Sequence, residues 1–111
     1  MDACKELKTM EAQEYRENNG IVMRIILTCH RRGWFDITEL VQTLSAYKLT
    51  LDDIMDAVDY FDDSGYIETR DKESKAKVKP CDLDFDEIEI RLCGNGHLVA
   101  RGIIKDDGIS L

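Results

Sequence analysis

Cysteine and histidine are the residues here whose chemistry turns most readily to metal binding or nucleophilic attack. Cys93 and His97 stand four apart, and Cys29 is next to His30. A zinc site draws on Cys-x-x-Cys pairs or closely spaced histidines, and neither pattern occurs, so no metal ligand is expected. A Cys–His nucleophile also needs an orienting third group and an enclosing pocket, which nothing in the sequence supplies. Cys29 reads instead as a small buried hydrophobe, and Cys93 as the end of a strand. The carboxylates Asp82, Asp84, Asp86 and Glu87 lack the glycine and terminal glutamate spacing of an EF-hand loop. Gly94-Asn95-Gly96 reads as a turn, because no Gly-Lys-Ser/Thr follows to cradle phosphate. The expectation is a non-enzymatic protein with no catalytic residue, no metal and no cofactor.

Charge is the stronger signal. The chain has 111 residues and a formal net charge of −8. Residues 49–65 hold six acids and no base, whereas residues 66–81 hold five bases and three acids. At helical spacing Asp52, Asp56, Asp59 and Asp63 fall within an arc of roughly 60°. Such a stripe is either a solvated face or a surface for a basic protein partner, and like charges at these spacings work against the helix that carries them. Lys72, Lys75, Lys77 and Lys79 follow in a polar stretch, where they either solubilise a loop or contact phosphates together with Arg31 and Arg32.

These residues need elements to position them. At this length the chain makes one domain, too apolar at 43% for a disordered tail. Residues 1–19 carry a thin apolar stripe and read as a peripheral N-terminal helix. From Gly20, the apolar positions Ile21, Val22, Ile25, Ile26 and Cys29 define a first core helix that Gly33 stops. Trp34-Phe35 form a connector that plugs one end of the fold or, alternatively, offers an exposed anchor. Asp36 caps a second core helix over residues 37–46. Thr50, with Asp53 three residues on, caps a third that opens at Leu51 and ends at Ser64-Gly65. Residues 66–70 and 87–92 read as two strands joined by a long charged loop. After residues 94–96 comes a short C-terminal helix, with Ile103, Ile104 and Ile109 packing back on the core.

This order, with Gly33-Trp34-Phe35-Asp36-Ile37-Thr38-Glu39-Leu40 entering the second helix and Asp59-Tyr60-Phe61-Asp62-Asp63-Ser64-Gly65-Tyr66-Ile67 leaving the third, resembles a winged helix-turn-helix over residues 20–93. The resemblance implies an α+β, mainly helical fold with a three-helix core and a β-hairpin wing. Residues 88–102 and the Asp107-Gly108-Ile109 ending are also similar to the small winged-helix proteins of Mu-like phages and prophages. Cys93 stands where that group has a threonine, and the wing loop is longer. No catalytic residues follow from either resemblance.

In a DNA-binding winged helix the third helix enters the major groove and offers Arg, Lys, Asn, Gln or Ser to it. Here it would offer carboxylates, each costing about 0.6 kcal/mol at ~7 Å from a phosphate in water. The sequence therefore reads as a binding or regulatory module of phage or prophage type, whose Asp52, Asp56, Asp59 and Asp63 meet a protein partner with a basic surface. The alternative is a dimeric DNA-binding regulator that contacts phosphates through the wing lysines. Self-association through the two terminal segments would give a homodimer. No membrane association is expected: the longest apolar stretch, residues 21–29, is cut by Arg24. With no recognisable leader before widely spaced cysteines, a cytoplasmic location with reduced thiols is expected.

Overall fold

The computed structural model describes residues 3–30 and 33–111, with side chains from residue 10 onward. Its first element is a single helix, α1 (Ala3–His30). The peripheral helix and the first core helix expected from the sequence are therefore one. Gly20 does not break it, because this glycine answers to packing and not to a helix end. A Cβ there would fall on the backbone carbonyl oxygen of Ser110, so only glycine lets the C-terminal tail lie against α1.

Strand β1 (Phe35–Asp36) and helix α2 (Ile37–Leu44) follow. The Asp36 carboxylate accepts from the Thr38 N–H at 3.0 Å, the capping expected of it. A short turn over Ser45–Tyr47 leads to α3 (Leu51–Asp63). Thr50 and Asp53 form a reciprocal capping box, each side chain accepting from the other's backbone N–H at 3.1 Å. Ile54, Ala57, Val58 and Phe61 line the buried side of α3, against Val22, Met23 and Ile26 of α1 and Ile37, Leu40 and Leu44 of α2.

Strands β2 (Ile67–Asp71) and β3 (Ile88–Leu92) pair antiparallel, and β1 adds to the far side of β3, giving the order β1-β3-β2. Two residues carry no periodicity, which is why β1 is invisible in the sequence. Phe35 opposite Ile90 and Thr69 opposite Ile90 put one face of the sheet on the core. The alternation expected of β3 is present, with Ile88, Ile90 and Leu92 buried.

The segment between β2 and β3 is not a free loop. Residues Pro80–Asp82 and Phe85–Glu87 form single helical turns, Pro80 is buried, and Leu83 and Phe85 pack on the core. Helix α4 (Gly94–Ala100) begins three residues earlier than the sequence suggests, taking in Gly94-Asn95-Gly96. Gly96 belongs inside it because a Cβ there would strike the Tyr66 carbonyl oxygen. Of the tail isoleucines only Ile109 is buried, while Ile103 is 68% exposed. The whole is an α+β, mainly helical fold. Among the described residues, no helix is long and apolar enough to cross a membrane.

Candidate functional site

The capping box fixes where α3 starts and the Ile54–Val58–Phe61 face fixes its rotation, so the acidic stripe must point away from the core. Asp52, Asp56 and Asp63 are exposed, and Asp59 is half-buried. Burial first, then the neighbouring charges of Asp56, Asp63 and Asp62, push the Asp59 carboxyl above the usual carboxylate range. Asp53 and Asp56 face Glu11, Glu14, Tyr15 and Asn18 of α1 across a cleft of about 200 Å³. The negative surface thus extends beyond α3 onto α1, which the sequence could not show without the packing of the two helices. Asp63 lies apart from this group. It and Asp62 face the Lys79 ammonium at 3.7 and 3.5 Å.

The lysines between β2 and β3 do not gather into a strip. Lys72 pairs with Asp36 at the start of α2, Lys75 with Glu89 of β3 at 2.7 Å, and Lys79 with the end of α3. Burial alone would raise the Asp36 carboxyl, but Lys72 and Thr38 outweigh it and hold it below its ordinary value. Lys75 in the same way holds Glu89 low, against burial and aided by Arg70. Lys77 sits in an isolated backbone bridge with Arg70 and, among the described residues, makes no ion pair. Arg31 and Arg32, the other expected phosphate contacts, lie outside the described residues. Exposed pairs of this kind are worth only ~0.2–1 kcal/mol each, but they aim the cations at the protein's own carboxylates.

The register of the hairpin builds a second charged group that the linear sequence hides. Glu68 stands opposite Arg91 and Arg70 opposite Glu89, with ion pairs of 2.9 and 3.1 Å. Both guanidinium groups lie over the Trp34 ring, 4.0 and 5.0 Å from its centre. Phe35 is buried and stacks on His30 with ring centres 4.3 Å apart. The Trp34-Phe35 connector therefore serves packing at both positions.

A third group ties down the C-terminal tail. The Tyr60 and Tyr66 hydroxyls both donate to the Asp106 carboxylate, which also accepts from the Gly108 N–H at 2.7 Å. Burial alone would raise the Asp106 carboxyl, but these three donors outweigh it and keep it below its ordinary value. Burial and then Asp106 push Tyr60 up to about 12, and Asp106 followed by burial does the same to Tyr66.

Among the described residues, the thiols form no constellation of this kind. Cys29 is exposed, contrary to the buried position expected from its apolar neighbours; it falls on the outer side of α1 beside exposed Thr28. Cys93 is half-buried before α4, where burial and the Glu68 carboxylate 3.7 Å away push its thiol up, the reverse of what a nucleophile requires. Among the described residues, no group of three or more His, Cys, Asp or Glu side chains is placed to hold a metal ion. No family model matches the chain, and neither a curated protein nor a solved structure matches it.

Proposed function

We propose that this chain is a non-enzymatic winged-helix binding module, of the phage type its sequence resembles, that docks a basic protein surface on the acidic face of α3 and α1. The order of helices followed by an antiparallel hairpin supports the winged-helix reading. One observation carries the function: Asp52 and Asp56 are exposed and Asp59 half-buried on the outer side of α3, Asp56 shares a cleft with Glu11 and Glu14 of α1, and α3 has no base to neutralise them. A duplex would meet several carboxylates at once, at a cost of a few kcal/mol set against the ~4–10 kcal/mol that separates specific from non-specific binding. A lysine- or arginine-rich protein surface gains from the same arrangement. Such a module works in the cytoplasm alongside its partner.

The test uses two probes, a lysine-rich polypeptide and a mixed-sequence duplex, over a range of salt concentrations. Binding of the polypeptide, weakening with salt and lost in Asp52→Asn/Asp56→Asn/Asp59→Asn, is the expected result. Duplex binding with a steep salt slope, lost when Lys75, Lys77 and Lys79 become alanine, would replace this reading with the dimeric regulator that grips phosphates.

A further inference from the structure

The C-terminal tail is recognised as a bound peptide would be. Asp106 sits on two tyrosines from separate elements, one at the end of α3 and one just before β2. The Asn19 side-chain amide donates to the Gly108 carbonyl oxygen at 2.9 Å, and the Ser110 N–H donates to the Arg16 carbonyl oxygen at 3.0 Å. Ile109 is buried between these polar anchors. Two glycines are obligatory: Gly20 on the groove side, under Ser110, and Gly108 on the tail side, where a Cβ would strike the Tyr60 ring and hydroxyl. Every one of these contacts is specified by residues 106–110, and none depends on how residue 106 is joined to α4.

That joint is held by backbone hydrogen bonds from the N–H groups of Gly102, Ile103 and Ile104 to Val99 and Leu98. Residues 101–105 are all exposed, and Gly102 takes φ +77 at the end of α4. The backbone is pinned as far as Ile104, whose N–H reaches the Leu98 carbonyl oxygen at 3.2 Å, and next by Asp106. Four residues paid out from Gly102 span up to about 14 Å, enough to carry the tail across to a neighbour.

The same end of the molecule is also unusually apolar. Of eight exposed large apolar residues among those described, four are here: Leu98, Ile103, Ile104 and Leu111. Ile104 and Leu111 line a cavity of about 400 Å³ beside the tail, together with Arg16, Val99 and Ile109. In one copy Ile103 is 68% exposed.

We propose that two copies of this chain pair across their C-terminal ends by exchanging residues 106–110, each tail occupying the partner's Tyr60–Tyr66–Asn19 groove. The groove and its ligand are present in every copy, so a second copy brings the correct occupant. The exchanged dimer keeps the contacts of residues 106–110, gives up the Ile103 and Ile104 N–H bonds to the Leu98 carbonyl oxygen, and adds burial of Ile103 and Ile104, which offsets that loss and the entropy of association. This inference uses the tail and not the acidic face, and it stands or falls separately from the function proposed above.

Complementation between two full-length variants tests it. Asp106→Asn has a defective tail and an intact groove; Tyr60→Phe/Tyr66→Phe has a defective groove and an intact tail. Light scattering should show wild type passing from monomer to dimer as concentration rises, each variant remaining monomeric alone, and an equimolar mixture forming a heterodimer. Ile103→Ser/Ile104→Ser alters only exposed side chains and keeps the tail docked; it should weaken the wild-type dimer at least tenfold, which keeps the test decisive should either polar variant fold poorly. The proposal is overturned if wild type remains monomeric at every concentration, if the mixture gives no heterodimer, or if the dimer is indifferent to the isoleucine substitutions.

Discussion

At the scale of single residues, two aspartates show opposite responses to their surroundings. Asp59 lies among Asp56, Asp62 and Asp63 with part of its hydration removed, so its carboxyl is raised and its charge opposes folding at neutral pH. Asp59→Asn removes that charge and should stabilise the protein by a few tenths to about 1 kcal/mol in urea unfolding at pH 7, with the gain shrinking as acid protonates the wild-type group. Asp106 is the reverse case: its lowered carboxyl contributes stability that is present above the unfolded value near ~3.9 and is lost as pH falls through the folded value. Its tyrosine partners set a limit on the alkaline side. Their folded pKa values of about 12 lie above the ordinary value of 10.0, so their contribution is complete below pH 10 and fades as pH rises toward 12. Phenolate absorbance should resolve two late-titrating tyrosines in wild type, and Asp106→Asn should bring both down. The sequence offers little sign of this group, because residues 60, 66 and 106 belong to three segments that only the folded chain brings together.

At the scale of elements, polar caps were the legible feature and close approaches were not. Thr50 and Asp53 announce the start of α3, as Asp36 announces that of α2, because capping is local chemistry. Thr50→Ala should cost about 1 kcal/mol in chemical denaturation and leave the acidic face unaltered. Gly20 misleads the eye for the opposite reason: glycine is a helix breaker by propensity, yet here it admits the backbone of Ser110. Gly20→Ala sets a gain of ~1 kcal/mol in helix propensity against displacement of the tail and exposure of Ile109, a side chain whose burial is worth ~1.5–3 kcal/mol. The net effect should be destabilising by about 1–2 kcal/mol, with far-UV circular dichroism showing α1 intact. The segment between β2 and β3 illustrates a different difficulty. A lysine-rich, polar stretch reads as a mobile loop, but buried Pro80, half-buried Leu83 and Phe85, and ion pairs to three separate elements fold it onto the body.

For the molecule as a whole, the net charge of −8 matters less than its segregation. Lys72, Lys75 and Lys79 lie against carboxylates at Asp36, Glu89, Asp62 and Asp63, whereas the outer face of α3 and the facing turn of α1 keep their negative charge. Segment totals of charge are readable from the chain; their pairing depends on the register of β2 on β3 and on the path of the segment between them, which are not. Because Asp36, Glu68, Asp71, Glu89 and Asp106 are all held low in the folded state, stability should decline as pH falls through and below the ordinary carboxylate range, with raised Asp59 alone among the described residues pulling the other way. Thermal unfolding followed across acid pH reads this directly. Trp34 makes that measurement selective. It is the single tryptophan, and its two guanidinium neighbours belong to the sheet, whereas the tail rests on Tyr60 and Tyr66. Indole emission therefore monitors the hairpin and the two late-titrating phenols monitor the tail, so the protein carries two native chromophores that tell detachment of its terminus from collapse of its body without any added label.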